Sequence, residues 1–317
     1  MALLVFADVD GTLVHYDDVI GKLGSFSGRK DAEKGTHEFI DLQGNAHEMM
    51  KLPPSTTGMQ GVISNETLSL VHQLRGNDQK ETAFVLISGA RTTTMLQRLA
   101  YLPACDAFVT ENGGRIFFRN EKHRKTASPY VEDLLWLESH KDAIGSLDLA
   151  FNPPQDRQGP LWDVYRILAG KGWKLDVAGY ITAFRVVATG ENSEEETLRN
   201  AIQEAGDGKI CFSRNLGKYD VYPISSGKAE AASYIRNNCS GKILKSNKRY
   251  SRVVAICDDE NDVELAMDAH HAYVPGITSE TLRLTIHRHP EHFTMSKRMG
   301  PFATEDMLQA IVNRELS

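Results

Sequence analysis

The sequence has little cysteine. Its four cysteines, Cys105, Cys211, Cys239 and Cys257, are spread over 317 residues and form no CxxC pair. That excludes a disulfide framework or a structural zinc site and leaves a reducing cytosol as the expected location. Charge of one sign never accumulates in blocks: 36 basic and 42 acidic side chains give a net charge of −6. A basic footprint is missing, so no nucleic-acid partner is expected, and an anionic ligand has to be held by a local site. Long apolar runs are missing as well. The opening MALLVFADVDG holds only about six apolar residues before two aspartates, where a secretory core needs roughly 7–15 and a membrane span about 20. No membrane partner is expected, and no internal repeat or low-complexity tract interrupts the chain. The pattern carries no signal for an oligomeric state.

What is present is ordinary globular composition, 41% hydrophobic and 25% charged, in a chain long enough for one large or two modest domains. Residues 3–7 (LLVFA), 83–87 (AFVLI) and 253–256 (VVAI) are short apolar runs without alternation, as strands buried on both faces require. Each ends in a polar residue: Asp8, Ser88 and Asp258. Buried strands that deliver polar groups at their carboxyl ends are the pattern of an open parallel sheet, where ligands bind. Helical spacing follows at 65–75, through Leu68, Val71 and Leu74, and at 92–100, so the expected core is an α/β layer sandwich.

The middle of the chain changes character. Residues 128–145 and 159–170 are expected as helices. Strands are expected at 173–177 and 180–189, with a turn at Ala178-Gly179. A helix over 193–205 opens with Ser193 and Glu196 at capping-box spacing, and strands follow at 209–212 and 219–223. This order predicts a small α+β unit with an antiparallel sheet, at about 120–217, inserted into the core. Residues 17–60, including PPSTTG, are too long for a plain connection. They are either a hairpin over the entrance to a site or a mobile stretch.

Four groups of residues carry chemistry. Asp8-Val9-Asp10-Gly11-Thr12 follows the first buried strand. Two carboxylates this close oppose each other's ionisation unless a cation relieves them. Ser88, before Gly89, offers a hydroxyl and backbone N–H groups to a phosphate oxygen. Lys228 opens a helix through Ala231, Ala232 and Ile235, where its charge can neutralise phosphate and aspartate together. The run Cys257-Asp258-Asp259-Glu260-Asn261-Asp262 follows the third buried strand and suggests a hard-cation site. Taken singly, these are an acidic turn, a Ser-Gly turn, a solvated lysine and an acidic helix start.

All four in this order resemble the motifs of the haloacid dehalogenase (HAD) superfamily of hydrolases. The resemblance is to its sub-class IIB, which includes Cof-like, sucrose-phosphate and mannosyl-phosphoglycerate phosphatases. It covers essentially the whole chain, with ENGG at 111–114 resembling the sub-class's turn and SETL at 279–282 fitting its C-terminal region. The resemblance implies an α/β fold: a Rossmann-like parallel-sheet core of residues 1–119 and 218–317, with an α+β cap inserted at 120–217. It implies that Asp8 is the nucleophile, forming an aspartyl-phosphate, and that Asp10 is the general acid and then base. Ser88 and Lys228 would hold the transferring phosphoryl group. Mg²⁺ would be bound by Asp8, the main-chain carbonyl of Asp10, and Asp258. Asn261 and Asp262 would support that arrangement, reaching phosphate or metal-bound water, and Gly89, Arg91 and Asn112 are carried over as phosphate or substrate contacts.

The expected function is Mg²⁺-dependent hydrolysis of a small phosphate monoester: a sugar, polyol or glycerate phosphate. The alternatives are a phosphomutase of the phosphomannomutase type and a non-catalytic ligand-binding relative. Three features depart from the family pattern. Cys257 stands where the fourth motif begins with glycine, Ala90 separates Gly89 from Arg91, and residues 17–60 lengthen the path between the first two motifs. In the cap, Arg185, Arg214 and Lys218 are candidates to meet a polar or anionic leaving group. His287, His289 and His292 are read as a surface loop, and Trp136, Trp162 and Trp173 as cap packing.

Overall fold

The computed structural model describes residues 2–54, 58–76, 81–120, 128–188, 194–215, 217–244 and 249–316. Their strands are β1 (Ala2–Asp8), β2 (Gly24–Asp31), β3 (Thr36–Asp41), β4 (Ala46–Lys51), β5 (Val62–Ser64), β6 (Glu81–Ile87), β7 (Ala107–Thr110) and β8 (Arg115–Arg119). They continue with β9 (Tyr130–Glu132), β10 (Lys174–Asp176), β11 (Phe184–Ala188), β12 (Ile210–Asn215), β13 (Lys218–Pro223), β14 (Tyr250–Ile256), β15 (His271–Val274) and β16 (Phe293–Met295). The large sheet has the order β16-β15-β14-β1-β6-β7-β8-β9. It is parallel from β16 to β7 and antiparallel at the β8 and β9 edge.

The continuous apolar runs are explained by burial on both faces. Leu3, Val5, Phe84, Leu86 and Val254 point to one face, where Leu70 and Leu74 of the helix Asn65–Arg75 and Leu308 and Ile311 of the helix Gly300–Glu315 cover them. Leu4, Phe6, Val85, Ile87 and Val253 point to the other, against Ala231, Ala232 and Ile235 of the helix Lys228–Asn238. Strand order switches at β1, which has β6 on one side and β14 on the other, both parallel to it. The crevice at its carboxyl end is where an open α/β sheet binds ligands. Register brings the polar ends level there: Asp8 lies opposite Ile87, next to Ser88, and Ala7 lies opposite Ile256, next to Cys257 and Asp258.

The smaller unit is an antiparallel sheet of order β10-β11-β13-β12, packed on the helices Pro160–Gly170 and Glu194–Ala205 around Trp162, Trp173, Phe184 and Leu198. Two expectations are corrected here. Residues 128–145 are not one helix: Tyr130–Glu132 pairs with β8 in the large sheet, and Asp133 then caps the short helix Leu134–Glu138 through Trp136 N. Trp136 accordingly packs with the core, its indole N–H donating to Gly113 O at 2.8 Å. The proposed capping residue Ser193 lies outside the described residues.

The described residues of the 17–60 stretch, 17–54 and 58–60, are an ordered element. The helix Asp17–Leu23 leads into an antiparallel sheet of order β2-β3-β4-β5. Ile20, Phe39, Met49 and Val62 close over Phe302 at the start of the C-terminal helix. The weak periodicity is explained by β2, which buries no residue and is exposed at six of its eight positions.

Among the buried histidines, His15 and His140 are held in neutral form. His15 bonds Thr304 Oγ1 through Nε2 at 2.9 Å, His140 bonds Ser225 Oγ through Nδ1 at 2.8 Å, and burial lowers each to about 4. Both folded values lie below the unfolded one. The stability they supply is therefore full above about pH 6.5 and is lost as pH falls toward 4. At about 1.4 kcal/mol per unit, His15 is expected to account for up to about 3 kcal/mol of acid sensitivity. Urea midpoints measured between pH 7 and 4.5 should fall less for His15→Gln than for the unsubstituted chain.

Candidate active site

The turn after β1 is tied by Gly11 N to Val14 O (2.8 Å) and Val14 N to Val9 O (2.8 Å). Gly11 has φ +87°, and a Cβ there would stand 2.3 Å from Asp258 Oδ2. The loops after β1 and β14 therefore meet with no room for a side chain. Thr12 Oγ1 donates to Asp258 Oδ1 at 2.6 Å, and Thr278 Oγ1 donates to the Asp258 carbonyl at 2.8 Å. These bonds fix the fourth-motif carboxylate even though Cys257 precedes it.

Lys228 is the centre of the site. Its side chain is 2% exposed, and Nζ donates to Asp8 Oδ1 at 2.7 Å, Asp262 Oδ1 at 2.7 Å and Asn261 Oδ1 at 3.3 Å. Asp262 Oδ2 accepts from the Asp258 and Asp259 N–H groups at 3.4 and 3.3 Å, holding the turn. Oxygens of Asp8, Asp258 and Asp262 lie within 4.8 Å of one another, all buried. One ammonium among three carboxylates leaves negative charge uncompensated. Burial pushes the Asp8 carboxyl up to about 8 against the pull of Lys228, with Asp262 raising it further. Burial, then Asp8 and Asp262, raise Asp258 well above the usual carboxylate range. A hard divalent cation fits this all-oxygen donor set and would relieve both shifts.

Ser88 is buried at the end of β6, its Oγ accepting from Ala90 N at 3.0 Å. Beside it, a Cβ on Gly89 would lie 2.3 Å from Asn215 Nδ2 and 2.7 Å from Asn112 Oδ1. The smaller unit reaches the site at this point. Asn261 Nδ2 donates to Asn112 Oδ1 at 3.3 Å, and Asn112 Nδ2 donates to Asp220 Oδ2 at 2.9 Å. Asp220, 1% exposed, also takes Asn215 Nδ2 at 2.8 Å and both Nε and Nη2 of Arg185, its cross-strand neighbour, at 2.5 and 2.7 Å. A polar chain thus runs from Lys228 to Arg185.

The remaining expected residues are placed elsewhere. Arg91 has its partners in the smaller unit: it pairs with Asp176, donates to Ala178 O at 2.8 Å and lies over the Tyr180 ring. Arg214 is half exposed and binds Glu195 and Tyr219, and Lys218 Nζ donates to Val187 O. His292 Nε2 bonds the Ala266 carbonyl, outside the carboxylate cluster. Asp10 directs its side chain to Arg98 and Tyr16, a contact that no spacing in the sequence signals.

Glu111 was visible only as part of a turn motif. It has φ +56°, Asn112 has φ +52°, and Glu111 is fully buried. Its Oε2 accepts from Ile181 N, Thr182 N and Thr182 Oγ1, each at 2.9 Å, while Oε1 accepts from Thr92 Oγ1 at 2.7 Å. Together with Arg91, it fastens the 176–182 segment to the core. Glu111→Ala would leave two backbone N–H groups without an acceptor, at about 1–3 kcal/mol each. Amide hydrogen exchange at Ile181 and Thr182 is expected to accelerate at least about tenfold, with β1 and β14 unchanged.

No family model matches the sequence, and no curated protein matches it. Solved structures do match over their length. The sucrose-phosphatase of Synechocystis, solved with sucrose and phosphate, is 13% identical with a TM-score of 0.58, over 99% of this chain and 98% of that one. A Thermoplasma acidophilum protein is 12% identical with a TM-score of 0.55, over all of both chains. A haloacid dehalogenase-like hydrolase of Bacillus subtilis is 13% identical with a TM-score of 0.51, over 98% of this chain and 91% of that one. The chain shares the fold of these structures: a Rossmann-like core with an inserted α+β unit.

Proposed function

We propose that the protein is a Mg²⁺-dependent phosphatase that hydrolyses a small phosphate monoester through an aspartyl-phosphate on Asp8. The observation that carries this reading is the buried Lys228 ammonium bonded to Asp8 and Asp262, with Asp258 alongside, at the carboxyl ends of parallel strands. An isolated group of this kind costs several kcal/mol to bury, and a phosphoryl group with a divalent cation is the ligand that balances it. Asp8, Asp258 and the Asp10 carbonyl are assigned to hold Mg²⁺, with Asp262 bracing the turn. When bound, the ion supplies charge compensation for the anionic phosphoryl group and for the approach of the nucleophile.

The protein's own residues then have distinct tasks. Lys228 orients Asp8 Oδ1 and draws one phosphoryl oxygen toward it. Ser88 Oγ and the N–H groups of the 88–90 turn bind another. Asp10 protonates the leaving oxygen and deprotonates the water that opens the aspartyl-phosphate. Phosphoryl transfer asks little more of a protein than this positioning.

The cap is assigned to the smaller unit, from Asp133 to Pro223. Its start is later than the expected residue 120, because β9 belongs to the large sheet, and its end is later than the expected residue 217, because β13 pairs with β11 and β12 inside the smaller sheet. Arg185, Asn215 and Asp220 on that sheet face Asn112 and Gly89, which supports a polar, hydroxyl-bearing leaving group. The sucrose-phosphatase neighbour, solved with sucrose and phosphate, supports a sugar or polyol ester over a phosphoprotein.

The test is phosphate release from a panel of sugar, polyol and glycerate phosphates and phosphopeptides, with Mg²⁺ and with chelator. Chelator-sensitive turnover of the small esters is expected. Turnover of phosphopeptides alone would overturn the small-ester reading, and turnover unaffected by chelator would overturn the metal assignment.

A further inference from the structure

The expected general acid, Asp10, is held on one of its two oxygens. Arg98 Nη1 donates to Asp10 Oδ1 at 2.6 Å, and the Tyr16 hydroxyl donates to that same oxygen. Arg98 Nη2 donates to the Tyr16 oxygen at 3.1 Å, which closes a three-membered ring of contacts. The other carboxylate oxygen, Oδ2, takes no hydrogen bond from any described residue. The Arg98 side chain is 3% exposed, and its Nε is buried without a partner among the described residues. Leaving a guanidinium N–H unsatisfied is costly, so the side chain is not placed for its own best hydrogen bonding. Its two outer nitrogens serve Asp10 and Tyr16.

Two structural elements converge on this carboxylate. Arg98 ends the helix Thr92–Arg98, whose chain begins at the Ser88 turn, so one segment serves the phosphate subsite at one end and Asp10 at the other. Tyr16 precedes the helix Asp17–Leu23 and is braced by its neighbour His15, which exchanges two backbone hydrogen bonds with Val62 of β5 (2.9 and 2.8 Å). The inserted β2–β5 sheet is therefore joined to the position of Tyr16.

We propose that Arg98 and Tyr16 are positioning residues that fix Oδ1 of Asp10, reserving Oδ2 for proton exchange with the leaving group. The proposal rests on the phosphatase reading above. In the first step the bond from Asp8 to phosphorus forms and the bond from phosphorus to the leaving oxygen breaks, while the proton on Oδ2 passes to that oxygen. In the second step Oδ2 accepts a proton from water as the water oxygen attacks phosphorus and the Asp8–phosphorus bond breaks. A carboxylate free to rotate would present the wrong oxygen, or none, for part of the time, and proton transfer requires hydrogen-bond reach. The inserted segment acts through Tyr16 as a buttress for the acid.

The test exploits the different need of leaving groups for a proton. A sugar or polyol alkoxide leaves poorly unless protonated, whereas 4-nitrophenolate leaves readily without help. Arg98→Met is expected to lower kcat/KM, which covers only the steps up to departure of the leaving group, by about 100-fold for the best alkyl ester, in the range of general-acid contributions. For 4-nitrophenyl phosphate it should lower kcat/KM less than about tenfold. Tyr16→Phe, which keeps the ion pair and the aromatic packing, is expected to show the same skew at about tenfold. Arg98→Lys should restore most of the alkyl-ester rate. Equal losses on both esters in Tyr16→Phe and Arg98→Lys would overturn the positioning role and leave the phosphatase reading intact. An unsubstituted chain that hydrolyses neither ester would overturn both.

Discussion

Asp8→Asn is expected to abolish turnover of every phosphate ester, by at least about 10⁴-fold, while leaving a protein more stable than the original at pH 7 without metal. The first half follows from losing the nucleophile: residual rates after such losses come from binding and electrostatics alone. The second follows from burial, which raises the folded-state pKa of Asp8 far above its unfolded value of 3.8, to about 8. A carboxyl shifted upward supplies stability that is complete below about pH 4 and is lost as pH rises through 8. Asparagine does not ionise and escapes that loss. Lys228 keeps Asp262 as a partner in the variant, so no buried ammonium is stranded. Thermal unfolding of the metal-free proteins should show the variant's advantage at pH 8 and none at pH 4. Full turnover by Asp8→Asn would remove the covalent mechanism, and an advantage independent of pH would remove the electrostatic account.

That prediction combines something legible in the sequence with something that was not. The carboxylates and their strands were legible because a strand buried on both faces writes itself as a continuous apolar run. Residues 3–7, 83–87 and 253–256 fall inside β1, β6 and β14. The polar residue ending each run marked the crevice. The sheet β2–β5 escaped because β2, β3 and β4 bury one residue in three or fewer, as in THEFID, where only Thr36 and Phe39 are buried, and β5 is only three residues long. β15 and β16 were missed because they are four and three residues long, too short for periodicity to register. At 128–145, helix-forming leucines outweighed a three-residue edge strand whose partner, β8, was itself unrecognised.

The polar partners of the site were the least legible part. Arg98 meets Asp10 from 88 positions away, and Asn112 meets Asp220 from 108. Such contacts are set by where two elements end after packing, and no local spacing encodes them. Glu111 shows an intermediate case. Its turn motif was visible, but its hold on Ile181 and Thr182 depends on the approach of the smaller unit.

Lys228→Met is the harshest test of the electrostatic balance, because methionine preserves most of the volume and removes only the charge. Lysine stands in the first turn of its helix, where the backbone dipole disfavours a cation, so the helix gains nothing from its charge. The carboxylates gain a great deal. Without the ammonium, Asp8, Asp258 and Asp262 remain buried with no cationic side chain bonded to them among the described residues. Removing one partner from a buried charged group costs about 3–5 kcal/mol, and that loss is expected at pH 7 in the absence of metal. The pH dependence has a definite sign. Lys228 is what pulls the Asp8 pKa down, so its removal lets Asp8 rise further, and the destabilisation should shrink as pH falls and the carboxyls take up protons. Divalent cation should compensate in the same way. Mg²⁺ is expected to raise the urea midpoint of Lys228→Met more than that of the unsubstituted chain, since the ion then supplies the only positive charge in the cluster. Turnover should stay at least about 10³-fold down even with saturating Mg²⁺, because restored charge does not restore the donor that orients Asp8 Oδ1. A variant equally stable at pH 5 and 8, or one whose midpoint ignores Mg²⁺, would mean that Asp8 and Asp258, with Asp262 behind them, do not form the cation site assigned to them.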